Sequence, residues 1–299
     1  MKIKNLILTI AIIISANGLF AQANILNAKI AEEIGLKTEG QLLLDNDRPL
    51  EYGYVDDRDR LFPKMTWEKV VLEERVNFPL YYPIDTNNIG VDRRSLFHVL
   101  WNAVKSGDIS TVYADSYFAQ ERTLEELRGS MRKVDTLDAG IDQYNAEGKV
   151  DPEYITQRDI EAFDILEYHM KGLWYFDKRQ GEMKYRLLAI APAAPDVNYI
   201  DTDDEANKEP VPLFWVFFPE ARDILHEAKA FNDRNSAMSI SFDHILNARR
   251  FNGYMYKEEN VYGDREVKDY IKDNALMQLM ESDRIKDKIR SFEHDMWNY

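Results

Sequence analysis

The side chains that could do chemistry are five histidines and a few runs of adjacent carboxylates. His98, His169, His226, His244 and His294 show no ligand spacing. A zinc site of the His-Glu-x-x-His kind needs two imidazoles one helical turn apart, so that both reach one ion. No such pair occurs. Glycoside hydrolysis needs two carboxylates at a set separation across a cleft. Glu73-Glu74, Glu125-Glu126 and Asp203-Asp204-Glu205 offer the residue type, but in a chain with 53 acids adjacent ones arise by chance. There is no Gly-x-Ser-x-Gly elbow, phosphate-binding loop or dinucleotide fingerprint. The absence of cysteine excludes thiol nucleophiles, thiolate metal sites, disulfides and lipid attachment through a cysteine. Asp135-Thr136-Leu137 fits a short O-glycosylation pattern of some bacteria, and one such triplet is expected by chance. No catalytic, cofactor-binding or metal residue is therefore assigned, partner-binding residues stay unassigned, and the expectation is not an enzyme.

The elements that would position these groups centre on residues 160–219. Leu166, Tyr168, Met170, Trp174 and Phe176 alternate with Glu167, His169, Lys171 and Asp177. A second run, Met183 to Ala191, follows the polar break Asp177-Lys178-Arg179-Gln180-Gly181. Alternation around a glycine-containing break predicts a hairpin, because successive strand side chains point to opposite faces. Val211 to Phe218 reads as a strand buried on both faces, and Pro219 as the first position of a helix, Glu220 to Lys229. The expectation is a central antiparallel sheet of at least three strands.

Around it, Thr66 predicts the cap of a short helix carrying Val70, Val71 and Leu72. Asn77 to Pro83 predicts an aromatic turn. Phe97, Leu100, Trp101 and Val104 form one helical stripe after Ser95, stopped by Gly107. Thr123 with Glu126 predicts a capping box. Residues 134–151 read as a polar connector. Ser241 predicts the cap of a short helix bearing Phe242, Ile245, Leu246 and Arg249. Asp264 to Phe292 reads as helix, broken at Ser282-Asp283, with Trp297 and Tyr299 predicted to pack. The fold class is α+β: a central antiparallel sheet flanked by helices, an extended N-terminal arm and a helical C-terminus.

At the N-terminus, Lys2 and Lys4 precede a nine-residue apolar core, Leu6 to Ile14, and the small-residue site Ala21-Gln22-Ala23. That order predicts a secretory signal peptide, residues 1–23, cut after Ala21 or Ala23. Its removal costs two lysines and no acid, taking the formal charge from -15 to about -17. A balance so acidic opposes phosphate-backbone binding. Residues 24–60 read as a charged, extended arm with one short helix at Ile25 to Ile34. Residues 61–299 read as a single core domain, helical over 61–150 and 220–299 with the sheet between. The 17 tyrosines, 14 phenylalanines and 5 tryptophans supply side chains suited to interface anchors.

Several ordered pieces then carry a family resemblance: Trp67-Glu68, Asn77-Phe78-Pro79-Leu80-Tyr81-Tyr82-Pro83, Trp174-Tyr175-Phe176-Asp177-Lys178, Tyr185 to Pro192, and Pro212 to Arg222. Ser241-Phe242-Asp243, Arg249-Arg250-Phe251, Lys257 to Tyr262 and Phe292 to Trp297 complete the set. In this order they resemble the gliding motility protein GldN, called PorN in non-gliding relatives. The resemblance implies a periplasmic component of the type IX secretion system. It implies an outer-membrane lipoprotein partner, the K component (GldK/PorK), with which the chain builds a large ring by self-association. It also implies contact with the periplasmic part of the inner-membrane motor, the M component (GldM/PorM). The family brings no catalytic residues and no cofactor. The rival reading from residues alone is an exported carbohydrate-active enzyme or glycan-binding module, and a third is an adaptor that never oligomerises.

Overall fold

The computed structural model describes residues 47–85, 93–200, 209–232, 240–272 and 274–297. The chain divides into two units, residues 1–48 with 85–93 and residues 49–84 with 94–299. The first lies almost wholly outside the described residues. So do the predicted signal peptide, the helix at Ile25 to Ile34, and Asp201 to Glu205.

The second unit is built on one antiparallel sheet. Its strands are β1 (Arg60–Val71), β2 (Val112–Tyr113), β3 (Glu121–Arg122), β6 (Glu167–Asp177), β7 (Glu182–Ala194), β8 (Val211–Pro212), β9 (Trp215–Phe217) and β12 (Tyr254–Glu258). They lie in the order β12-β1-β6-β7-β9-β2-β3, with β8 beside β7. The predicted hairpin is the long β6–β7 pair at the centre. Gly181 (φ 68°) closes its turn, where an L side chain would be strained.

One face of the sheet carries Val70, Tyr168, Met170, Leu187, Ile190 and Val216. Against it pack α1 (Phe78–Tyr81), α2 (Leu96–Ser106), α3 (Leu124–Ser130), α5 (Phe218–Glu227) and α6 (Phe242–Asn247), which form the main core. Ser95 accepts from the His98 N–H at the start of α2, and Gly107 ends it at φ 85°. Thr123 and Glu126 form the predicted capping box of α3. Ser241 caps α6. Pro219 sits in the first turn of α5, which starts two residues earlier than predicted and ends before Lys229. The short strands β10 (Lys229–Ala230) and β11 (Ile240–Ser241) pair with each other. The α+β class is as predicted.

Five expectations are corrected. Thr66 caps no helix: residues 66–71 lie in β1, with Thr66, Glu68 and Val70 all fully buried. Polar residues at core-facing positions hid the alternation. Residues 134–151 are not a connector. They contain β4 (Arg132–Thr136) and α4 (Asp138–Glu147), and β5 (Ile155–Asp159) pairs with β4. Val211 to Phe218 is not one continuous strand but β8, β9 and the first residue of α5, and Val211 is exposed. The C-terminal segment breaks near Asn274 rather than at Ser282-Asp283, giving α7 (Val267–Tyr270) and α8 (Ala275–Trp297). Asn274 Oδ1 accepts from the Met277 N–H and starts α8. The Ser282 hydroxyl accepts from the Met255 N–H at 2.7 Å, tying the uninterrupted helix to β12. Trp297 is 70% exposed rather than packed.

Candidate functional site

The polar side of β6 is not a solvated face. Glu167, His169, Lys171 and Asp177 are all buried. The sheet face opposite the helices carries Trp67 from β1, Ala189 and Ala191 from β7 and Trp215 from β9, with Tyr113 and Tyr256 beside them. Alanines in β7 leave room over the strand for the longer neighbours.

Two linked constellations occupy this face. In the first, His169 Nε2 lies 2.7 Å from Glu167 Oε1, and Lys69 Nζ lies 2.9 Å from the same oxygen. The rings of Tyr256 and Trp215 stand 5.2 and 6.3 Å from the imidazole. Burial pulls the His169 pKa down, the Glu167 hydrogen bond pulling the other way and Lys69 adding to the fall. Burial pushes Glu167 up, but the His169 bond and the Lys69 charge outweigh it and hold the carboxylate below its ordinary range. With Nε2 donating to Glu167, Nδ1 is bare, buried and without a hydrogen-bond partner.

In the second, Lys171 Nζ donates to the Ser116 carbonyl at 2.8 Å, while Trp67 Nε1 donates to the Ser116 hydroxyl at 2.9 Å. Lys171 stands 5.1 Å from the Trp67 ring and 4.7 Å from Tyr117, and Lys257 stands 4.6 and 5.0 Å from the same two rings. Two ammonium groups thus share one aromatic box. Burial, then the like charge of Lys257, lowers the Lys171 pKa. The Tyr117 hydroxyl donates to Asp264 Oδ2, fastening the loop above.

A carboxylate-oriented imidazole is the geometry of a general base, but catalysis needs reach to a substrate proton. His169 is 4% exposed. Around it stand Glu167, Trp215 and Tyr256, with Lys69 opposite it on β1 and held on the same Glu167 oxygen. The cluster predicts an acid response. Because His169 has a folded pKa below its unfolded one, the unfolded chain takes up the proton first as pH falls. This contribution is complete above about pH 6.5, the ordinary histidine value, and is lost as pH falls towards the folded pKa. Glu167, also depressed, loses its contribution below the ordinary carboxylate range. Thermal melts should therefore fall from pH 7 to pH 5, and His169→Gln should flatten that slope. An unchanged slope in the variant would overturn the assignment.

The other sequence candidates fall apart in space or serve the fold. His98 Nε2 lies 2.7 Å from Asn102 Nδ2 on α2. His244 occupies the first turn of α6, and His294 is exposed on α8. Glu74 accepts from Asn252, and Glu126 belongs to the α3 cap. Among the described residues no group of three or more His, Asp or Glu side chains could hold a metal ion. Phe78, Tyr81 and Tyr82 form a small surface cluster, with ring centroids 4.8–5.4 Å apart.

Two charge networks gave no sequence signal. On the helix side, Arg249 Nη2 donates to both oxygens of Glu68, at 2.9 and 2.8 Å, with the rings of Tyr185, Trp174 and Phe251 around the guanidinium. At the arm's end, Tyr52 lies between the guanidinium groups of Arg222 (4.1 Å) and Arg186 (4.4 Å) and donates to Asn247. Arg222 also donates to the Leu50 carbonyl, Arg186 to that of Gly53 and Arg179 to that of Tyr54. Residues 50–54 are strapped to the body by three arginines acting on backbone carbonyls.

This body, a sheet with helices on one face and charge clusters on the other, coincides with a known family. The profile described as "Gliding motility associated protein GldN" matches residues 55–298. The chain belongs to the GldN family. It is thereby a component of the gliding motility and type IX secretion machinery, and the family is one of structural components rather than a known enzyme family. No curated protein matches the chain. Among the described residues no helix is long and apolar enough to cross a membrane.

Proposed function

We propose that this chain is an exported, non-enzymatic structural subunit of the periplasm. In this reading it assembles with the outer-membrane K lipoprotein into a ring, self-associates within it, and meets the periplasmic part of the motor M component. The observation that carries the reading is the GldN match along residues 55–298. The surface supports it. Large apolar side chains are exposed in groups, Leu137 at the start of α4 with Ile141 and Tyr144 on it, and Leu276, Met277, Leu279 and Met280 on α8. Grouped apolar exposure of this kind marks interaction surfaces. The missing cysteine leaves membrane attachment to a lipidated partner.

Co-expression with the K lipoprotein, extraction from the outer-membrane fraction and sizing tests this. The two chains should co-elute as a very large assembly, and a soluble monomer indifferent to the lipoprotein would overturn the reading. The arm, proposed to order against a neighbour, is tested by deletion. The strap on Arg222, Arg186 and Arg179 sets the limit of that deletion, because cutting through residue 60 would also remove Tyr52 from the body. Deleting residues 24–48 should leave the thermal transition unchanged and shift the chain to small species. A deletion product that still forms the full assembly would remove the arm from the interface.

A further inference from the structure

Asn252-Gly253 carries a chemistry of its own. An asparagine followed by glycine readily loses its side-chain amide, because no Cβ screens the next backbone nitrogen from the asparagine Cγ. Of the two such steps in the sequence, Asn17-Gly18 falls in the predicted signal peptide. Asn252-Gly253 stands immediately before β12, and Asn252 is exposed, so water reaches it. The glycine is not free to change. A Cβ on it would come 2.9 Å from the Lys69 carbonyl oxygen and 3.1 Å from Val70 Cγ2, where the chain closes on β1.

The surroundings pin this step at several points. Asn77, fully buried, donates through Nδ2 to the Asn252 carbonyl at 2.9 Å and accepts from the Asn252 N–H at 2.8 Å. Its Nδ2 also donates to the Val71 carbonyl at 2.7 Å, which ties the end of β1 to the approach of β12. Asn252 Nδ2 donates to Glu74 Oε2 at 2.6 Å. Lys286 Nζ, from α8, donates to the Gly253 carbonyl at 2.9 Å. Loss of the amide begins with ring closure, which needs the Asn252 Cγ to swing onto the Gly253 nitrogen and the peptide between them to turn. Bonds at the Asn252 N–H, carbonyl and side-chain amide resist both movements.

We propose that Asn252-Gly253 is a latent self-modification site, locked by Asn77 and Glu74 and released by local opening of that clamp. Once free, the Gly253 nitrogen attacks the Asn252 Cγ. The new N–C bond forms as the Cγ–Nδ2 bond breaks, and the backbone nitrogen's proton leaves with Nδ2 as ammonia. Water then opens the succinimide ring at one carbonyl to give aspartate, or at the other to give isoaspartate. Neither product restores the clamp. Aspartate puts a carboxylate against Glu74 where an amide donor stood. Isoaspartate adds a backbone atom just ahead of the Lys69–Tyr254 pair, which disturbs the register of β12 on β1. An opening that would otherwise reverse is thereby made permanent.

The full chain is incubated folded and in urea at mildly alkaline pH, and the peptide spanning Asn252 is followed by mass for conversion of amide to acid. Conversion should be rapid in urea, much slower in the folded chain, and several-fold faster in folded Glu74→Ala than in folded wild type. Equal rates folded and in urea would mean that no lock exists, and no conversion in urea would remove the site. A Glu74→Ala rate equal to wild type would take Glu74 out of the lock. Each of these overturns the proposal. Asn252→Asp tests the product independently of any rate. Its thermal transition should fall at neutral pH, and adding Glu74→Gln, which offers an amide donor to the new carboxylate, should restore most of the loss. An Asn252→Asp protein as stable as wild type would overturn the one-way step.

Discussion

Arg249→Ala is expected to destabilise the protein by about 3–5 kcal/mol, the cost of leaving a buried charge without its partner. Glu68 is fully buried within β1, and the Arg249 guanidinium neutralises it from above the sheet. Burial opposes the charge on Arg249, yet the Glu68 carboxylate outweighs it and raises the arginine pKa further. The backbone at this position adds a second test. The Arg249 N–H donates to the Leu246 carbonyl and the Arg250 N–H to that of Ile245, which together close α6 in a Schellman motif. That motif places Arg249 at φ 50°, where glycine is usual and another L residue costs roughly 1–2 kcal/mol. Arg249→Gly should thus be less damaging than Arg249→Ala by about 1 kcal/mol while remaining strongly destabilising. Arg249→Ala paired with Glu68→Gln should recover much of the loss, since the orphaned charge goes with it. Urea unfolding of the four proteins reads all of this. If Arg249→Gly proves as stable as wild type, the side chain serves no structural purpose and the residue is there for its backbone alone.

The sequence carried the central hairpin, three helix caps and the fold class because those features are local. Serine or threonine before an apolar period, a glycine at a helix end and alternation across a polar turn each declare themselves within a dozen residues. What it hid depends on partners far along the chain. Glu68 and Arg249 are 181 residues apart, and nothing near Glu68 announces that it faces the core. With Thr66 and Glu68 inside and Trp67 and Lys69 on the other face, the pattern of β1 contradicts the rule that polar residues face water, so a helix looked equally good. Glu167, His169 and Lys171 misled the other way. They alternate correctly but are buried, Lys171 against Ser116, Tyr117 and Phe118, and Glu167 with His169 against Lys69, Tyr256 and Trp215. The polar composition of residues 134–151 concealed a helix whose end Gly148 does mark, at φ 70°. The family resemblance rests on ordered aromatic and proline-containing pieces. Most of these lie in the sheet and the elements packed on it, so they speak to the body and leave the contact surfaces unassigned.

Gly172→Ala is expected to cost about 3 kcal/mol or more, the upper range for forcing atoms into a packed core. Gly172 stands in the middle of β6, between Thr66 of β1 and Leu187 of β7, where a register shift after Lys171 bends the strand. A Cβ built on it would land on Cζ, Oη and Cε2 of Tyr185. That ring cannot swing aside, because Trp174 stands 4.9 Å from it on one side and the Arg249 guanidinium 4.2 Å away. The glycine is therefore the reason Tyr185 can lie across the strand and complete the enclosure of Arg249. A double-mutant cycle separates this steric account from a general intolerance of side chains in β6. Tyr185→Ala alone should destabilise by opening the enclosure. Adding Gly172→Ala to it should cost little more, giving a coupling of several kcal/mol in the favourable direction. Tyr185→Phe should not relieve Gly172→Ala, since the ring carbons remain in place. Additive losses in the Ala–Ala variant would instead put the cause in the strand backbone, and the link from Gly172 through Tyr185 to the Arg249–Glu68 pair would fail.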